Sequence, residues 1–363
     1  MAVTPAVEVG RATRVYSLQW LRFAAALAVV VYHAAVYMSL LRGSTWALEY
    51  VPGWLGALGV ALFFALSGYL MASAMQRYDA PRFLLHRVVR IFPPFYVVVA
   101  LVLVASIWTP IDPPLDVHAL SLLPWGGSEY PLGVEWTLVF EIAFYVFVAA
   151  LIALRRVRSA ASVLIAWLGL ILVHNVLYPD DPSQNVFPAH ELPFVSLTTA
   201  FAFGMLLPLV LRRPPHPVVA AIVGTALWLA GSTQGIAAGR WGMGFGCALL
   251  VLSLARYEGW RPVFGDTTFG RLGDRLGNYS YMLYLCHVPV IRTLYVTLPG
   301  VGFVRVFALS ILSAVLLCIP LGELDMWMYR RLKARVDVAP PTLRAILACG
   351  FLVLFTLSAI VFF

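Results

Sequence analysis

The sequence predicts an all-α fold, a polytopic integral membrane bundle of ten to eleven transmembrane helices, on three observations. First, 61% of its 363 residues are hydrophobic and only 12% charged, whereas soluble domains average about 45–50% apolar and about 25% charged. A soluble chain of this length cannot hide so much apolar surface. Second, the apolar residues fall into runs near the length of roughly 20 residues that crosses the hydrocarbon of a bilayer. Third, Lys and Arg gather between alternate pairs of runs, as they do in the cytoplasmic loops of membrane proteins.

The runs follow in order. Leu18–Leu41 is preceded by Arg11 and Arg14. Its polar start passes into an apolar stretch too long for a signal-peptide core, with no small-residue cleavage site after it. Trp54–Met75 and Val88–Trp108 bracket Arg77, Arg82 and Arg87, with Arg90 in the first turn of the second run. Trp136–Leu154 and Ser159–Leu177 bracket Arg155, Arg156 and Arg158. Phe194–Leu211 and the short Val218–Gly231 bracket Arg212 and Arg213. The equally short Trp241–Ala255 and Tyr279–Leu298 bracket Arg256, Arg261, Arg271 and Arg275. Phe303–Leu324 and Leu343–Phe363 bracket Arg330, Arg331, Lys333 and Arg335, with Arg344 at the start of the second run.

These groups hold 20 of the 25 basic residues. The other side keeps Arg42, Arg240, Arg292 and Arg305, and its stretches Asp112–Glu135 and Asp180–Glu191 carry acids without Lys or Arg. The expectation is a multi-pass protein of the cell (inner, cytoplasmic) membrane with a cytoplasmic N-terminus and, after eleven spans, Phe363 outside. Loop charge also accounts for the net +8, so no nucleic-acid partner is expected. Cys247, Cys286, Cys318 and Cys349 all lie in apolar runs and read as small core residues. No soluble domain, low-complexity tract or internal repeat is visible.

Ionisable side chains inside spans are expensive and commonly functional. Arg22 and His33 lie eleven residues apart in the first run; eleven helical steps return to within about 20° of the same face, about 16.5 Å further along. The competing reading has Arg22 snorkelling to headgroups and His33 as a bonded core residue. Glu141 sits near the outer end of its run and needs a partner, which a structural ion pair would also supply. His287, beside the helix-kinking Pro289, reads equally as a packed or a working histidine. Glu323 and Asp325 read as surface ion pairs with Arg330 and Arg331. Arg87 and Arg90 share a helical face and form a fork suited to phosphate oxygens, or are plain positive-inside charge. Gly242-Met-Gly-Phe-Gly246 lacks a preceding strand and reads as close helix packing rather than a nucleotide loop. Ser67-Gly68 lacks the frame of a nucleophile elbow. The histidines have no metal-ligand spacing, so no metal is expected.

In chain order, Arg22-x10-His33 within Leu18-Gln-Trp-Leu-Arg22, Phe63-Phe-Ala-Leu-Ser67-Gly-Tyr69, Arg87-x-x-Arg90 with Pro93-Pro94, Trp136–Tyr145 and Tyr279–Pro289 resemble the membrane acyltransferase-3 family, most closely its exopolysaccharide O-acetyltransferase-like members. The resemblance runs from Leu18 to about Lys333. It implies acyl transfer from a cytoplasmic thioester, usually acetyl-CoA, to a glycan hydroxyl, with an essential first-span histidine and the donor near Arg22, Arg87 and Arg90. Residues 1–342 are then the family's membrane domain. Family members of the plain type have ten spans, so 343–363 is an added helix. Some relatives use such a helix to carry an extracytoplasmic domain; no second transferase domain is expected here, and polysaccharide-assembly partners remain open.

The residues support the same chemistry. A pantetheine arm spans about the 16.5 Å from Arg22 to His33, with Arg22, Arg87 and Arg90 on its phosphates. Neutral His33 accepts the hydroxyl proton, or forms an acyl-histidine. Glu141 orients the imidazole or the acceptor. His287, Tyr145 and Ser67 are further acceptor-side or second catalytic candidates. No cofactor is held permanently, since acyl-CoA is a substrate. The rival class is a transporter or flippase with buried Arg, His and Glu as its pathway; inverted repeats, its signature, are not seen.

Overall fold

The computed structural model describes residues 15–125, 129–179, 187–257, 263 and 265–361. Arg11, Arg14 and Arg261 of the charge count, Asp180, which opens an acidic stretch, and Phe363, the expected outer end of the last run, lie outside them. The described residues form helices without strands. The long ones are α1 (Tyr16–Arg42), α2 (Trp54–Ala74), α3 (Ala80–Ser106), α4 (Trp136–Ala153), α5 (Ala160–Leu177) and α6 (Thr199–Val210). They continue as α7 (Pro217–Ser232), α8 (Ile236–Arg256), α9 (Thr268–Thr297), α10 (Phe303–Val338) and α11 (Pro341–Val361). Among the described residues, eight helices are long and apolar enough to cross a membrane, and α6 and α7 are shorter apolar ones.

The helix α9 is long but mixed, because its first turns carry Arg271, Asp274 and Arg275. The sequence puts those residues in a loop before Tyr279. The helix instead starts at Thr268, where the Thr267 hydroxyl accepts the Gly270 N–H at 3.0 Å and supplies the N-cap. The other extension is α10. Its 36 residues rise about 54 Å, well past a hydrocarbon core, so it carries Arg330 to Asp337 beyond the apolar layer. Asp337 there accepts from Arg82 at 2.8 Å and His86 at 2.7 Å and ties that extension to the start of α3.

Helix α1 is the hub, packed along α9 and α2 and touching α8 and α10. Crossings are tight where small residues let backbones meet. A Cβ on Gly68 of α2 would collide with the Phe201 carbonyl of α6, and one on Gly204 of α6 with the Ala65 carbonyl. Gly246 of α8 meets Gly224 of α7 and Gly242 meets Leu227, as expected of a packing motif. Helix α11 leans on α3 and is otherwise largely exposed. Cys349 lies exposed on it, unlike the three buried cysteines, so it is not a core residue.

Candidate functional site

Six helices, α1, α2, α3, α4, α9 and α10, enclose a cavity of about 250 Å³ toward the arginine-rich end. Arg22, Ser67, Arg87, Arg90, Glu141 and Tyr145 all face it. Residues from four separate runs thus meet in one place.

The three arginines are not equivalent. Arg90 is committed: its Nη1 bonds Asp325 at 2.6 Å, and the guanidinium lies 5.3 Å from the ring centre of Tyr281 and 5.4 Å from that of Tyr329. Asp325 is fully buried, so the expected surface pairing with Arg330 and Arg331 is corrected. That reading took charge neighbours in sequence, whereas the helix turns Asp325 inward to α3. Glu323 likewise accepts from the Tyr279 hydroxyl of α9. Arg87 stacks on Phe83 and Tyr145, each ring centre 5.6 Å away, and its buried Nε has no hydrogen-bond partner among the described residues. Arg22 makes no side-chain hydrogen bond or ion pair among them. Three guanidinium groups therefore meet two carboxylates, Glu141 and Asp325. Buried cations without partners carry a desolvation cost that a bound anion relieves.

Glu141 accepts from the Tyr145 hydroxyl, one turn on. It stands on the cavity wall with the arginines and makes no bond to His33, so its expected role of orienting that imidazole is corrected. The partner of His33 is His287. Nδ1 of His33 lies 2.8 Å from Nε2 of His287, and the rings stack with centres 5.1 Å apart. His287 is fully buried and also bonded through Nδ1 to the Tyr284 carbonyl at 2.7 Å. The two histidines, 254 positions apart, were alternatives in the sequence and are one pair in the fold.

The pair lies one layer beyond the cavity. Tyr284 joins the two: it lines the cavity, and its ring centre is 5.8 Å from that of His287. Its hydroxyl clusters with the Thr137 hydroxyl and the Val134 carbonyl, which it meets at 2.9 Å. The loop before α4 covers the far side. Gly133, at φ +79°, lies where a Cβ would come within 3.2 Å of the Tyr37 hydroxyl and 3.5 Å of Val288. Glu135 holds this loop, its fully buried carboxylate accepting the N–H of Leu132 at 2.7 Å and of Val134 at 2.9 Å. Burial raises that carboxyl to about 7 while the backbone hydrogen bonds oppose the rise. Sequence reading missed Glu135, Thr137 and Tyr284. The first had a signal, an acid directly against the apolar run opening at Trp136.

Comparison with known proteins adds the family. Nodulation protein 10 of Rhizobium leguminosarum bv. viciae is 25% identical over 319 residues, covering 76% of this chain and 82% of the relative. The exopolysaccharide production protein ExoZ of Rhizobium meliloti (strain 1021) is 29% identical over 254 residues, covering 64% and 76% respectively. No solved structure matches. The acyltransferase domain, as a family, matches residues 15–323, which takes in α1, α2, α3, α4 and α9, both histidines of the pair and the first part of α10, though not its cavity-lining Met326 and Tyr329. The chain belongs to this membrane acyltransferase-3 family, and it is an acyltransferase.

Proposed function

We propose that the protein moves an acyl group, acetyl in the first instance, from acyl-CoA at the cytoplasmic, arginine-rich end to a glycan hydroxyl that reaches His33 from the other side of the cell membrane. The observation that carries this reading is the cavity itself. It pairs Arg22 and Arg87, with Glu141 as the one carboxylate left to them once Asp325 holds Arg90, at one end with Tyr284, in contact with the histidine pair, at the other. An anionic, slender donor suits that shape, with its phosphates on the guanidinium groups and its thioester toward His33. The glycan acceptor follows from the name of the exopolysaccharide relative.

In the transfer, His33 accepts the proton of the attacking hydroxyl as the oxygen forms a bond to the thioester carbonyl. The carbon–sulfur bond then breaks, and coenzyme A leaves as a thiolate that takes the proton from the His33 imidazolium, which returns the histidine to its neutral form. The test is release of free thiol from acetyl-CoA by the purified protein in lipid, with an oligosaccharide acceptor whose mass is followed. Wild type should add acetyl-sized mass, and His33→Ala should lose turnover by about 10²-fold or more. Near-normal turnover in His33→Ala at equal, monodisperse yield would reject His33 as the base.

A further inference from the structure

We infer that His287 is a positioning residue that fixes the tautomer of His33, leaving the lone pair on Nε2 of His33 as the one available for proton transfer. This rests on the proposed role of His33, but its test reads a proton position as well as turnover.

The hydrogen bonds determine the protons one by one. A carbonyl oxygen only accepts. Nδ1 of His287 lies 2.7 Å from the Tyr284 carbonyl and 3.2 Å from that of Leu283, so this nitrogen carries hydrogen. A neutral imidazole has a single N–H, and Nε2 of His287 is therefore an acceptor. Nδ1 of His33 stands 2.8 Å from it and must be the donor. By the same count, Nε2 of neutral His33 holds a free lone pair. Complete burial of His287 favours its neutral form, while His33 is the partly exposed member of the pair.

The arrangement serves both ends of the transfer. Before it, the helix carbonyls of α9 impose one tautomer on His287, and His287 imposes one on His33. After Nε2 of His33 has taken the proton, the Nδ1–H bond to His287 becomes charge-assisted and steadies the imidazolium. In a serine hydrolase a carboxylate has that orienting role. Here a neutral nitrogen does it without placing a negative charge in the membrane.

Two polar variants separate positioning from packing. Gln at 287 places an amide oxygen near the site of Nε2, with its NH₂ turned to the two carbonyls. Asn is one methylene shorter and falls short of His33. With ¹⁵N-labelled histidine in lipid nanodiscs, and the His33 signals identified by their loss in His33→Gln, wild type should show hydrogen on Nδ1 and a bare Nε2. His287→Gln should keep that pattern and lie within about tenfold of wild-type kcat. His287→Asn should show both tautomers and lose kcat by about 10²-fold, at a KM for acetyl-CoA within about twofold of wild type. Hydrogen on Nε2 of His33 in the wild type would overturn the inference, as would an unchanged His33 tautomer in His287→Asn. Should His33→Ala keep its turnover, the functional reading fails, while the spectra still decide whether His287 sets the tautomer.

Discussion

Arg87 and Arg90 stand three residues apart on one face of α3 with opposite commitments. Arg87 offers an unbonded guanidinium to the cavity, whereas Arg90 is locked to Asp325. Arg87→Ala should therefore raise the Kd for acetyl-CoA, by about tenfold for the loss of one charge-assisted bond, with thermal stability kept. Arg90→Ala strands a buried carboxylate, which costs about 3–5 kcal/mol; adding Asp325→Asn should restore most of the lost Tm. Calorimetric titration and thermal unfolding in detergent check the pair, and equal instability of both single variants would refute the distinction. Sequence showed that the two arginines share a face, since i and i+3 neighbour one another in any helix. It did not show which was free, because Asp325 lies 235 positions away. Arg22, Ser67, Glu141 and Tyr145 were legible as polar interruptions of apolar runs, and the fold does gather them at one cavity.

At the scale of the element, the loop ending at Glu135 is the unusual one, since a single carboxylate holds its backbone over the histidine pair. Burial lifts that carboxyl from 4.5 to about 7, so the folded loop binds the proton more tightly than an unfolded one. The stability it lends is complete below the unfolded value, declines between the two, and is gone once pH has risen through about 7. Hydrogen exchange at the Leu132 and Val134 amides should accelerate across about pH 5–8 beyond the intrinsic rise, and Glu135→Gln should abolish the excess. A wild-type profile with no excess would refute the assignment. Sequence placed this segment in a non-spanning loop and stopped there, since loop conformation depends on what lies beneath it. Helix ends were misread for a related reason. Apolar runs report the hydrocarbon thickness, and both α9 and α10 continue as helix beyond it, on the N-cap of Thr267 and the clamp at Asp337.

For the whole molecule, each apolar run became a helix, because hydropathy is a direct statement about lipid and needs no knowledge of neighbours. Loop charge gives the expected orientation, with the arginine-rich end cytoplasmic, and labelling tests it. In a cysteine-free background, a thiol at Val338 should react with an impermeant reagent only after cells are opened, and a tag placed after Phe363 should react in intact cells. Labelling of Phe363 from the cytoplasm would remove α11 from the spans. The depth of the histidine pair has a consequence for the cell's energy supply. A protein that lets a chemical group cross while both carriers stay behind must remain closed to ions throughout. On the proposed transfer, the hydrogen-bonded Val134–Thr137–Tyr284 cluster stands between the donor cavity and the loop that covers the histidine pair, where it would have to keep ions from passing. Surface decoration by the proposed route would then proceed without drawing down the membrane potential.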